Sequence, residues 1–134
     1  TRAGELGLGK NVRFLGARPD PEALLQASQI FVLPSRSEGM SNALLEAMAT
    51  GLPCVASRIG GNTDLIEHGI TGLLTPPGDA ATLAGVISAL FEDRALRERL
   101  GTAARALILE GYTMDRVTQQ YAELYATLTG SRWQ

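Results

Sequence analysis

Residues 30–48 read IFVLPSRSEGMSNALLEAM, and this stretch combines an apolar strand, a polar loop and the start of a helix. The run Ile30–Leu33 is continuously apolar and ends at Pro34, which is typical of a parallel strand covered on both faces. Ser41 is a favourable N-cap residue, and an apolar stripe at helical spacing begins at Leu44. The stretch therefore predicts a buried parallel strand that leads through a loop into a helix.

Strand and helix patterns alternate on both sides of this stretch. Short apolar runs predict three further strands, at Val12–Leu15, Pro53–Ala56 and Gly72–Leu74. Helical patterns predict a helix that starts at Asp20, a short helix Thr63–Glu67 after a Gly60-Gly61 turn, and only helices after Asp79. Such alternation is typical of a parallel α/β sheet. We therefore expect a Rossmann-like parallel sheet with flanking helices, followed by C-terminal helices.

Length and composition fit a single globular domain. The chain has 134 residues, 45% of them hydrophobic and 19% charged, so residues 1–134 are predicted to form one domain, with a frayed tail at 130–134. Its net charge of -2 argues against nucleic acid as a partner. One cysteine, Cys54, and one histidine, His68, exclude an internal disulfide and a metal site built from several such residues. No apolar run approaches the ~18 residues of a membrane span, so a cytoplasmic location is the expectation.

The loop and helix start within this stretch have the features of a ligand site. They follow a parallel strand, and open α/β sheets bind ligands at the carboxyl ends of their strands. The free N–H groups near Asn42 favour an anion, and Gly39 allows a close approach of backbone to ligand. Glu46 lies one helical turn after Asn42, and Glu38 lies on the loop before the helix. Carboxylates accept paired hydrogen bonds from vicinal hydroxyls, so the stretch fits a diphosphate with a sugar on either side.

Spacing alone leaves a second interpretation open. Two carboxylates eight residues apart are common, and Glu46 is then a solvated helix residue and Glu38 an ordinary loop residue.

The same residues resemble a known family. Glu38 and Glu46 have the E-x7-E spacing of the retaining group 1 (family 4) glycosyltransferases, and Ser37–Ala49 is similar to the signature of that family nearly end to end. Four flanking segments also resemble the family, and the likeness spans roughly residues 8 to 128. These segments are Asn11–Gly16, Gly51–Ala56 with Gly60-Gly61, His68–Leu74 and Pro77–Asp79.

The resemblance implies a GT-B architecture, in which this chain is similar to the C-terminal, donor-binding domain. It implies that Glu46 holds the ribose hydroxyls of the nucleotide and that Glu38 is the catalytic glutamate, which holds hydroxyls of the transferred sugar. The remaining donor-binding residues that it implies are Gly39, Met40, Ser41 and Asn42 at the sugar and diphosphate, Gly16 and Ala17 at the nucleobase, and Gly60 and Gly61 near the diphosphate.

The resemblance also implies partners and a location. The donor would be a UDP-, GDP- or ADP-sugar, no metal or other cofactor is expected, and the acceptor stays open. The full-length enzyme would be cytoplasmic, with peripheral association at the inner face of the plasma membrane as a further expectation. Two other functions stay open, a non-catalytic nucleotide-sugar-binding module and a GT-B-like nucleotide-sugar epimerase.

The chain departs from the family pattern at its start. The segment Thr1–Leu8 resembles the end of a helix with nothing before it, so we expect a fragment that lacks the N-terminal domain and the basic loop that grips the diphosphate. Such a fragment is expected to be inactive, because that loop stabilises the developing charge of the leaving group. The strand at Ile30 would then expose an apolar edge, so the chain is expected to re-pair internally, to pair with a second copy in a strand-swapped homodimer, or to be part of a longer protein.

Overall fold

A computed structural model describes residues 1–129 and shows a small parallel sheet. Its strands are β1 (Phe31–Leu33), β2 (Cys54–Ser57) and β3 (Leu73–Thr75), in the order β1-β2-β3. Every residue of β2 is buried, because β2 lies between the other two strands and both faces of the sheet are covered. The predicted Rossmann-like parallel sheet is therefore confirmed.

Helices flank the sheet and follow it. Their bounds are α1 (Arg2–Glu5), α2 (Pro21–Ala27), α3 (Asn42–Ala49), α4 (Gly60–Leu65), α5 (Ala80–Glu92), α6 (Arg94–Gly111) and α7 (Met114–Thr129). In this part of the chain no helix is long and apolar enough to cross a lipid bilayer.

The core lies on both faces of the sheet. On one face, α3 and α6 pack with β2, and Leu44 and Met48 of α3 are fully buried there. On the other face, Val55 of β2 packs with Leu90 of α5 and Leu100 of α6. Burying a side chain of this size contributes about 1.5–3 kcal/mol, so the first cluster holds α3 against the sheet.

The strand predicted at Val12–Leu15 is wrong. These residues belong to an irregular segment between α1 and α2, and the side chain of Phe14 is 74% exposed. A strand needs a neighbour for its backbone N–H and C=O groups, and the described residues supply none for this run. The sheet accordingly has three strands where the sequence predicted four.

The short helix after β2 begins earlier than predicted. It is α4, Gly60–Leu65, rather than Thr63–Glu67, so the two glycines form its first turn instead of a turn before it. The amides of Asn62 and Thr63 both donate to the carbonyl of Ile59, which closes that turn. The sequence predicts a Gly60-Gly61 turn that leads into the helix, whereas in the structure both glycines belong to the helix and Gly61 packs against the carbonyl of Gly39.

The two outer strands of the sheet, β1 and β3, each have one side without a strand partner among the described residues. For β1 this agrees with the expectation for the strand at Ile30, and its side chains are only half-buried. The predicted frayed tail, residues 130–134, lies outside the described residues.

Candidate functional site

The carboxyl ends of the three strands meet at one edge of the sheet, because all of the pairings are parallel. A cavity of about 120 Å³ lies at this edge. It is lined from all three strand ends, by Pro34 after β1, Ser57 of β2, and Thr75 and Asp79 of β3 and the loop that follows it. Sequence reasoning did not single out Ser57 or Thr75, although their position at the end of a buried strand is the signal that marks them.

Two glycines from separate predicted segments come into contact at this edge. A Cβ atom built on Gly61 of α4 would lie 1.4 Å from the carbonyl oxygen of Gly39 and 3.3 Å from that of Glu38. Only a residue without a side chain can occupy this position with the backbones where they are. The structure therefore brings the loop before α3 against the first turn of α4, as expected if both belong to one site.

The loop carboxylate has a defined partner. The hydroxyl of Ser35 donates a hydrogen bond of 2.6 Å to Oε1 of Glu38, and both residues are half-buried. This bond orients the carboxylate and leaves Oε2 free to accept from a ligand. Ser35 was missed by sequence reasoning, and a hydroxyl three residues before the glutamate on the same loop is the only signal in the sequence.

The start of α3 presents free backbone donors. Ser41 caps the helix as predicted, since its hydroxyl accepts from the amide of Leu44 at 3.4 Å. The amides of Asn42 and Ala43 have no hydrogen-bond partner among residues 1–129. Unpaired amides at a helix start attract an anion, helped by the positive end of the helix dipole.

The second glutamate is exposed on α3. Glu46 lies one turn beyond Asn42, on the face opposite the buried Leu44 and Met48. This is the arrangement that its spacing predicts, and it leaves the carboxylate accessible to a ligand at the start of the helix.

A buried amide side chain lies next to these groups. Asn62 of α4 has no exposed surface, and its Nδ2 donates to the carbonyl of Ser57 at 2.9 Å. Its Oδ1 is buried without a hydrogen-bond partner, a situation that typically costs about 1–3 kcal/mol. The sequence prediction assigned no role to Asn62, because its place directly after two glycines gives no indication of burial.

Three other predicted site residues lie in less confined surroundings. The side chain of Met40 is 60% exposed and lines an apolar groove of about 460 Å³ with Tyr112 and Tyr121. Gly16 and Ala17 are exposed in the irregular segment between α1 and α2, and nothing lies within 4 Å of a Cβ built on Gly16. The site that is assembled here is therefore the edge formed by residues 35–46 and 57–62.

Comparison with known families gives a match over most of the chain. The sequence profile described as Glycosyl transferases group 1 matches residues 1–107. N-acetyl-alpha-D-glucosaminyl L-malate synthase of Bacillus anthracis is 35% identical over 120 residues, which are 90% of this chain and 32% of that protein. D-inositol 3-phosphate glycosyltransferase of Corynebacterium efficiens is 40% identical over 127 residues, which are 93% of this chain and 30% of that protein.

Solved structures agree with the sequence matches. The crystal structure of Alr3699/HepE from Anabaena in complex with UDP superposes with a TM-score of 0.91 at 33% identity, over 94% of this chain and 35% of that one. The complex of the same protein with UDP-glucose gives a TM-score of 0.89. The chain thus spans about a third of the length of the proteins it matches.

Proposed function

The chain belongs to the glycosyl transferases group 1 family, and we propose that it is the donor-binding part of a retaining family 4 hexosyltransferase. One observation carries the proposal. Two glutamates and the unpaired amides at the start of α3 lie at the carboxyl edge of a parallel sheet, where Gly61 of α4 contacts Gly39 of the loop before α3. The relative HepE has been crystallised with UDP and with UDP-glucose. We infer that a nucleotide-diphosphate sugar binds at this edge.

Each residue then has a role that its position allows. The exposed Glu46 accepts hydrogen bonds from the ribose hydroxyls. Glu38, oriented by Ser35, accepts from hydroxyls of the transferred sugar and is the catalytic glutamate. The amides of residues 39–42 and of the Gly60-Gly61 turn donate to the sugar and the diphosphate, and Gly16 and Ala17 border the nucleobase.

The leaving diphosphate needs compensation of its negative charge. The positive end of α3 supplies part of it. Arg36 and Arg58 are exposed basic residues on the loops that follow β1 and β2, at the same edge. We propose that these groups act without a resident metal ion.

The complete reaction needs more than the residues described here. The matched relatives are about three times longer than the chain, so we propose that acceptor binding depends on parts outside residues 1–134. We propose that the full-length protein is cytoplasmic and associates peripherally with the inner face of the plasma membrane. We expect the isolated chain to bind the donor without transferring its sugar. A measurable rate of transfer by pure chain would contradict this expectation.

The open edge of β1 gives a second proposal about partners. An uncovered strand edge promotes pairing, so we propose that a second copy covers it in a strand-swapped homodimer when the chain is alone. Size-exclusion chromatography with light scattering measures the mass, and a stable monomer would count against this proposal.

Calorimetric titration tests the proposed donor site. The chain is titrated with UDP, GDP, ADP and their glucose conjugates, alongside Glu46→Gln and the matched control Glu110→Gln, an exposed glutamate of α6. We expect one of the nucleotides to bind. Glu46→Gln should lower the affinity for that nucleotide by about 10- to 100-fold, because hydrogen bonds to a charged group contribute roughly 1.5–3 kcal/mol. Equal affinities of the two variants would place the ribose elsewhere, and a folded chain that binds no nucleotide would reject the donor site.

A further inference from the structure

Asn62 is an exception to the way polar side chains are buried in this chain. Among residues 1–129 it holds the only side-chain N or O atom that is itself shielded from solvent and has no hydrogen-bond partner. An apolar residue of the same size would fill the space without that unpaired oxygen. Exceptions of this kind concentrate where function requires a particular arrangement.

The hydrogen bond of the Asn62 side chain connects two elements of the site. Its Nδ2 reaches from the first turn of α4 to the carbonyl of Ser57, at the end of β2. The same carbonyl accepts from the amide of Ile59 at 2.9 Å, so both bonds tie the start of α4 to the strand.

Gly61, the residue before Asn62, contacts the donor loop, which we define as residues 38–41, so the position of the α4 turn determines the position of this loop. Gly61 lies against the carbonyl of Gly39 without room for a single carbon atom between them. A shift of the first α4 turn toward the loop is therefore blocked, and a shift away from it removes the support of Gly39. The Ser57 bond is the side-chain contact that fixes this turn.

We infer that Asn62 is a positioning residue for the sugar half of the donor. It acts through Gly61 and Gly39 to set the place of Glu38, and it touches neither nucleotide nor sugar. The inference rests on the proposed function, in which Glu38 holds the transferred sugar. Its consequence is that loss of the Asn62 side chain weakens binding of the nucleotide sugar more than binding of the nucleotide without its sugar.

Two variants and one control separate this role from plain stability. Asn62→Leu keeps the branched shape and the number of side-chain heavy atoms and removes the bond, and Asn62→Ser is the smaller second variant if the first folds poorly. Thr63→Val is the matched control, because the Thr63 hydroxyl also bonds to a backbone carbonyl in the same turn, that of Gly60 at 2.7 Å, but does not reach β2.

The first readout is the ratio of the Kd for UDP to the Kd for UDP-glucose. We expect Asn62→Leu or Asn62→Ser to lower the affinity for UDP-glucose by about tenfold and the affinity for UDP by less than about twofold. Thr63→Val should change neither affinity. Equal losses for both ligands, or no loss, would overturn the inference while leaving the donor site in place. Absence of binding to the unmodified chain would instead overturn the proposed function, and the inference with it.

The second readout needs no ligand. Amide NMR spectra of the free variants should show shifts at Gly39 and Met40, more than twenty positions earlier in the sequence, for Asn62→Leu but not for Thr63→Val. Shifts confined to residues 57–65 would show that Asn62 only stabilises its own turn.

Discussion

Helix α3 is held at both ends by the same kind of contact, in which a glycine lies against a backbone carbonyl. At its start, a Cβ on Gly61 would lie 1.4 Å from the oxygen of Gly39. Beyond its last turn, a Cβ on Gly101 of α6 would lie 2.0 Å from the oxygen of Gly51. Neither position tolerates a side chain without movement of the backbone.

The two ends differ in what they leave unpaired. Beyond the last turn, the amides of Gly51 and Leu52 both bond to carbonyls of α3, and Gly101 is buried. At the start, the amides of Asn42 and Ala43 have no partner in the described chain. The same glycine–carbonyl contact therefore lies in the core beyond the last turn of α3 and at an exposed polar edge at its start. Substitution beyond the last turn should mainly lower stability, whereas substitution at the start should mainly weaken ligand binding.

We call the region beyond the last turn of α3, at Gly51 and Gly101, the closed end and the start of α3 the open end. The largest effect on stability is expected at the closed end. Gly101→Ala forces a methyl group into the α3–α6 contact, and overpacking of this kind typically costs about 1–3 kcal/mol or more. We expect the free energy of unfolding to fall by about 3 kcal/mol, as measured by urea denaturation.

Gly85→Ala is the control for this substitution. Gly85 lies in α5 with nothing within 4 Å of an added Cβ, so alanine should raise stability by up to about 1 kcal/mol through helix propensity. If the two variants were equally stable, the closed end would not be tightly packed.

Gly61→Ala is expected to act on binding instead. The methyl group must displace Gly39 and with it the loop that carries Glu38, so UDP-glucose affinity should fall at least about tenfold. Stability should fall by less than half as much as for Gly101→Ala, because the loop is largely exposed and can move. Titration and denaturation of the same samples test both statements, and a stability loss equal to that of Gly101→Ala would remove the distinction between the ends.

The pH dependence of stability should report on the closed end. Burial raises the pKa of the Cys54 thiol from 9.0 to about 12, and its Sγ lies 3.3 Å from the carbonyl of Leu52. The pKa of the Cys54 thiol is higher in the folded chain than in the unfolded chain. The contribution of the protonated thiol to the free energy of unfolding is therefore complete below pH 9 and is lost as the pH rises toward 12.

Urea denaturation at two pH values tests this sign. At pH about 10 the expected loss relative to pH about 8 is roughly 1 kcal/mol, and Cys54→Ala should lack it. An equal loss in the variant would assign the pH dependence to other groups.

The smallest effect is expected at the open end. Ser35→Ala removes the 2.6 Å bond to Glu38, and we expect UDP-glucose to bind about threefold more weakly while UDP is unaffected. Ser28→Ala is the control, since its hydroxyl makes a bond of the same length to the carbonyl of Leu24. A loss for UDP as large as that for UDP-glucose would mean that Ser35 does not act through Glu38.

Local patterns were sufficient to predict much of the molecule. The continuous apolar run before Pro34 and the cap at Ser41 predicted β1 and α3, because both depend on neighbouring residues. The position of Glu46 on the exposed face of α3 followed from helix periodicity, and that of Glu38 on the preceding loop followed from the cap at Ser41.

Features that depend on distant partners were not predictable in this way. The apolar run at Val12 has a strand pattern, but no described strand pairs with it. The contact of Gly61 with Gly39 and the burial of Asn62 arise from the packing of α4 against another loop. Such contacts join residues that are far apart in sequence, and no local pattern encodes them.

The central claim is that the donor binds at the open end of α3, and amide NMR of the labelled chain during titration with UDP-glucose tests it most directly. The account predicts shifts that cluster at residues 39–43 and 60–61. Clustering around Gly51, Leu52 and Arg94, which line a separate groove near the closed end, would contradict it.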